Sequence, residues 1–140
     1  MTALQAARAP DKRSQTRVRQ FKVAAGVVIW QGALVALVTA SGVTLAQPAV
    51  AATGQTIVGL AMFTADNRTG AAGAIAVNVA NDAAQMNNDT VNPVTAANIG
   101  ATVYAIDDNT VSILATGRSA AGTLFEIDPA SGLPWIKFTS

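Results

Sequence analysis

From Phe21 onward the chain is a succession of short apolar runs separated by turn residues. Val27–Trp30 runs into Gln31-Gly32, Ala33–Thr39 runs into Ser41-Gly42, and Val43–Ala46 follows. A loop over Pro48–Gln55 leads to a strand at Thr56–Met62, where Gly59 marks a bulge or a close backbone approach. Asp66–Gly73 is a loop. Ala74–Ala80 alternates Ile75, Val77 and Val79 with Ala76 and Asn78, the period of a half-buried strand. Asn81–Asn92 is polar and predicts a loop with one helical turn. Pro93–Asn98 predicts a short helix, with Thr95 as N-cap and Gly100 as its stop. Ala101–Ile106 and Thr110–Ala115 flank Asp107-Asp108-Asn109, the strongest hairpin signal in the chain. Thr123–Ile127, a turn at Asp128–Gly132 and a final strand at Pro134–Phe138 complete the pattern. Many short strands at regular spacing predict an all-β fold, a small β-barrel or β-sandwich. Residues 1–20 have no apolar period and predict an extended or flexible arm.

One stretch pulls against this picture. No charge occurs between Lys22 and Asp66. The count of apolar residues would allow a membrane span, and Ala33–Ala40 has the length of a signal-peptide core. Against both stand Gly26, Gln31, Gly32 and Gly42, which interrupt the run at strand-length intervals. The run is also rich in β-branched residues (Val27, Val28, Ile29, Val35, Val38, Thr39), which favour strands. Strands without a membrane span are therefore expected, and an exported β domain with an N-terminal signal is the alternative.

Composition sharpens the reading. The 140 residues include no Cys and no His, so disulfides and the familiar His- or Cys-based catalytic and zinc sites are excluded. Charged residues make up only 12%, about half the share usual for soluble domains, which suggests a surface largely covered by partners. The charge is also uneven. Arg8, Lys12, Arg13, Arg17, Arg19 and Lys22 face the single acid Asp11 in residues 1–22, a net of +5. Residues 23–140 carry three bases and seven acids, a net of −4. The chain thus divides into a basic arm, 1–22, and an acidic β domain, 23–140.

Candidate chemistry is sparse. Asp107 and Asp108 are adjacent on a hairpin tip, where neighbouring side chains point apart, so a solvated turn is expected rather than an acid pair. Asp82, Asn87, Asn88 and Asp89 offer oxygen ligands for a cation but lack the spaced pattern of a calcium loop. Gly70-Ala71-Ala72-Gly73 lacks the Lys-Ser/Thr ending of a phosphate loop. No catalytic residue, metal or cofactor is assigned. Trp30, Tyr104, Phe125 and Trp135 are expected in the core, with Trp135 as a possible subunit contact. The basic arm has three readings: an extension lying on an acidic protein surface, a solubilising tail, or a nucleic-acid contact, the last weakened by the lack of interleaved aromatics.

Several segments together resemble tailed-phage capsid decoration (cement, or minor capsid) proteins. They are Val23-Ala24-Ala25-Gly26-Val27-Val28-Ile29-Trp30-Gln31-Gly32-Ala33-Leu34-Val35, then Val58-Gly59-Leu60-Ala61. Thr90-Val91-Asn92-Pro93-Val94-Thr95 and Val103-Tyr104-Ala105-Ile106-Asp107-Asp108-Asn109-Thr110-Val111 continue the order. The resemblance spans about residues 21–138. It implies a non-enzymatic protein, a homotrimer on the outer surface of the phage head, bound to the major capsid protein. Arg8, Lys12, Arg13, Arg17, Arg19 and Lys22 would then reach neighbouring capsid subunits. A tail or fibre component of the same virion is a further alternative.

Overall fold

A computed structural model describes residues 18–138. The strands, in chain order, are β1 (Val18–Lys22), β2 (Val28–Ile29), β3 (Leu34–Ala40), β4 (Val43–Pro48) and β5 (Thr56–Ala61). They continue with β6 (Ala65–Asp66), β7 (Ala76–Ala80), β8 (Ala84–Gln85) and β9 (Asn87–Asn88). The last four are β10 (Thr102–Ala105), β11 (Thr110–Ser112), β12 (Ser119–Ile127) and β13 (Pro134–Lys137). The fold is all-β.

The first sheet has the order β1-β7-β5-β3-β4, with every pair antiparallel. Its two edges curl together where Val23 bridges Ala46, and the Ala24 N–H donates to the Ala46 carbonyl at 2.9 Å. The two-stranded ribbon β2–β6 pairs Val28 with Asp66 and Ile29 with Ala65. The second sheet has the order β8-β13-β12-β10-β11-β9.

Two apolar cores result. One lies inside the curled first sheet and contains Val23, Ile29, Val35, Ala46, Val58, Val77 and Val79. The other joins the opposite faces of β3 and β5 to the second sheet and contains Leu34, Ala36, Ile57, Val103, Val111, Leu124 and Ile136. Leu34 thus belongs to one core and its neighbour Val35 to the other. A strand segment covered on both faces has no position where a charge is solvated, which accounts for the absence of charge from Leu34–Ala36 and Ile57–Gly59. No helix among the described residues is long and apolar enough to cross a membrane.

The bulge expected at Gly59 is present. The β3–β5 register shifts between Val35, opposite Gly59, and Ala36, opposite Ile57, which leaves Val58 as the extra residue. Gly59 has φ +145°, and a β-carbon there would run into the Ala80 carbonyl and Val79. The shift changes the phase of β5, so Ile57 and Leu60 both face the inter-sheet core while Val58 and Ala61 face the other.

Four expectations are corrected. Val18–Lys22 is a strand with five paired residues on β7, so residues 18–22 belong to the fold and not to the arm. The strand was hidden because only its Arg19 and Phe21 turn inward, and one of these is a base. No helical turn forms in Asn81–Asn92. That segment gives β8 and β9 to the edges of the second sheet and buries Ala84 and Met86. The short helix is reduced to a single 3₁₀ turn, Ala96–Asn98, after Thr95 as expected. Trp30 and Phe125 are not core residues: they are 54% and 56% exposed.

Candidate docking surfaces

The exposure of Phe125 has a local cause. In the β12–β13 pairing Leu124 lies opposite Ile136 and Glu126 opposite Trp135, so Phe125 is the unpaired residue of a bulge. A bulge re-aims a side chain, and here the chain it turns outward is a phenyl ring. The Gly100 N–H donates to the Leu124 carbonyl at 2.9 Å, which brings Ile99, 55% exposed, beside this bulge. Tyr104 and Trp135 are half-buried, and the Trp135 indole N–H donates to Asp128 Oδ2 at 2.9 Å.

The second surface is the corner at Trp30. A turn closes as the Ala33 N–H donates to the Trp30 carbonyl at 3.0 Å, with Gly32 at φ +86°. A positive φ at this third turn position favours glycine. The Gly32 N–H bonds the Ala61 carbonyl and the Gln31 N–H bonds Thr64 Oγ1, so residues 30–32 lie alongside 61–64. Met62 and Phe63 in that second segment are also exposed. The Arg68 guanidinium lies 5.8 Å from the Trp30 ring centroid. It is held there by Asp66, with Nε–Oδ1 at 2.9 Å and Nη2–Oδ2 at 2.6 Å. The Arg68 hydrogen bonds hold the Asp66 carboxyl down at about 2.

Beside Trp30 is an open cavity of about 320 Å³, lined by Trp30, Gln31, Gly32, Ala33, Asp108 and Asn109. The β10–β11 hairpin tip is fixed there by the Leu34 N–H, which donates to the Asp108 carbonyl at 2.7 Å. Asp107 is engaged locally, its Oδ1 accepting the Asn109 N–H at 2.8 Å. Burial, and then the neighbouring Asp107 charge, push the Asp108 carboxyl above its usual range. Among the described residues no cation pairs with Asp108.

The other motifs are structural. Asn88 clamps Val94 at both its N–H and its carbonyl, each at 2.8 Å. Asp89 accepts from Ser112 Oγ at 2.8 Å and from the Val91 N–H at 3.0 Å, with Arg118 at 3.7 Å. Those oxygens are therefore taken up by the chain's own donors. The loop holding Gly70–Gly73 is folded around Asn67, whose buried amide donates to the carbonyls of Val23, Ala24 and Ala71. Of the basic residues, Arg8, Lys12, Arg13 and Arg17 lie outside the described residues. Arg19 is turned inward, donating to the Val58 carbonyl at 3.3 Å, and Lys22 is exposed on β1.

Sequence reasoning singled out Trp30, Phe125 and Asp108 but did not join them to a surface. Trp30-Gln31-Gly32 carried a usable signal, since an aromatic followed by a polar-Gly turn sits where the chain leaves the sheet. Nothing in the sequence marks the bulge at Phe125. Comparisons with protein-family models, with curated proteins and with solved structures found no match.

Proposed function

We propose that the chain is a non-enzymatic structural protein of a tailed-phage head, a decoration or cement protein that binds the lattice of major capsid protein from outside. The observation that carries the reading is Phe125, turned out of the second sheet on a bulge and 56% exposed beside Ile99. A phenyl ring on a rigid strand loses little freedom on binding and supplies a large apolar contact, the character of an interface anchor. Only 12% of the chain is charged, so little charge must be desolvated when such a surface is covered. The resemblance in segment order described above supplies the identity of the lattice. Oligomers, with a trimer as the expected form, raise avidity because each copy adds a contact on the same repeating surface. Binding only the assembled lattice stabilises it by mass action. Arg8, Lys12, Arg13 and Arg17 add attraction between a basic arm and acidic protein surfaces.

The test adds purified protein to heads assembled without it and measures occupancy by cosedimentation and cryo-EM. Phe125→Ala is expected to keep its thermal midpoint and to weaken binding by roughly thirtyfold or more, the scale of an interface hot spot. Wild-type protein that leaves heads undecorated, or Phe125→Ala protein that fills them normally, would sink the reading.

A further inference from the structure

We infer that the cavity beside Trp30 is a binding site for a neutral sugar ring, a single pyranose unit. The proposal goes beyond lattice binding and uses none of the Phe125 surface, so either idea can fail without the other.

The fold leaves polar groups unused at this cavity. The hairpin tip is turned by its other residues: Asp107 Oδ1 accepts the Asn109 N–H at 2.8 Å, and Asn109 Oδ1 accepts the Thr110 hydroxyl at 2.9 Å. Asp108 lines the cavity half-buried, and no other described residue donates to its carboxylate. The side-chain amide of Gln31 and the Asn109 Nδ2 likewise bond no other described residue. The carboxylate accepts, Asn109 Nδ2 donates and the Gln31 amide does both. Hydroxyls, which donate and accept, match this set. A simple anion would meet the like charge of Asp108, and a simple cation would give the amide N–H groups nothing to donate to.

Trp30 supplies the apolar part. It stays 54% exposed with the Arg68 guanidinium over its ring, so indole surface remains open to a ligand. The ring already holds a cation in Arg68, whose charge Asp66 balances, so the free surface is best matched by an uncharged group. A pyranose carries a face of C–H groups and a rim of hydroxyls. Its face packs on the indole, and its rim meets Asp108, Gln31 and Asn109. A volume of about 320 Å³ is at the small end for ligand sites and suits one ring rather than a longer saccharide. Both walls are fixed before a ligand arrives. The Ala33 N–H to Trp30 carbonyl bond and the Gln31 N–H to Thr64 Oγ1 bond set one. The Leu34 N–H to Asp108 carbonyl bond, at 2.7 Å, and the Asn87 N–H to Asn109 carbonyl bond, at 2.9 Å, set the other. A preformed site spends little binding energy on ordering itself.

The test titrates the full chain with methyl β-glucopyranoside, methyl β-galactopyranoside, methyl α-mannopyranoside and N-acetylglucosamine. Binding is read by saturation-transfer NMR on the wild type and by Trp30 emission in a Trp135→Phe background. At least one pyranose is expected to bind saturably, with Kd on the order of 1 mM, the scale for an open site with few hydrogen bonds. Asp108→Ala and Gln31→Ala are each expected to weaken it at least tenfold with the thermal midpoint kept. If Trp135→Phe unfolds the chain, NMR alone decides. No saturable response to any of the four sugars overturns the proposal, and so does equal binding by both alanine variants. Sorbitol, an open-chain polyol without a ring face, is the control, and binding it as well as a pyranose overturns the stacking on Trp30. A stronger response to methylguanidinium than to every sugar overturns the neutral ligand.

Discussion

Buried polar side chains hold the loops of this protein, Asn67, Asp89 and Ser112 among them. Asn67 ties three carbonyls of two chain segments with one amide. Asp89 and Ser112 pin the Asn88–Asn92 segment to β11, with Ser112 fully buried. Ser112→Ala removes a hydroxyl that donates to a carboxylate and is expected to cost about 1–2 kcal/mol at neutral pH in urea unfolding. The effect has a pH signature. The Val91 N–H and then the Ser112 hydroxyl hold the Asp89 carboxyl below its ordinary 3.8. Its stabilisation is therefore full above that value and is lost as pH falls through the lowered folded-state value. The gap between wild type and Ser112→Ala should narrow when unfolding is measured near pH 3. A gap that stays constant from neutral to acid pH would show that the charge on Asp89 plays no part.

At the scale of elements, the strands were legible where one face is buried and turns bound the run. β5, β7, the β10–β11 hairpin and β13 all fall within the expected runs, and β3 runs one residue past its own, to Ala40. β1 was missed because a base occupies one of its inward positions, and β8 and β9 because two-residue strands have no period to read. Gly59 was legible as a bulge or close approach, and both hold. Gly59→Ala would force a side chain into the Ala80 carbonyl at φ +145°. It is expected to cost about 3 kcal/mol or more, or to prevent folding, as read by thermal unfolding and soluble yield. A variant with the wild-type midpoint would mean that β5 and β7 separate without penalty.

At the scale of the molecule, β3 and β5 are shared by two cores, and neither core is complete without them. Trp30 follows β2 of the two-stranded ribbon and Trp135 lies on the second sheet, so the two report from different places in the fold. The two emissions, followed in Trp135→Phe and Trp30→Phe variants, should lose intensity in one coincident denaturant transition. Leu34→Ala opens the inter-sheet core and is expected to lower both midpoints together, by about 2–5 kcal/mol. Two separated transitions would show that residues 18–80 and 84–138 are independent domains.

The sequence by itself determined the class of this protein. Period-two alternation, β-branched residues and Gly-bounded turns follow from local sterics and half-burial, so they can be read without knowing what each strand touches. It also determined the charge division, because a basic arm and an acidic body are matters of counting. Tertiary structure alone decided what is exposed. Trp30 and Phe125 have the same apolar surface as a core residue, and only a turn register and a bulge turn them toward solvent. It also decided that Asp108 and Trp30 line one cavity, since a hairpin tip docks on the start of β3. Such a contact depends on how sheets pack, and pairing between distant segments leaves no period in the sequence of either one.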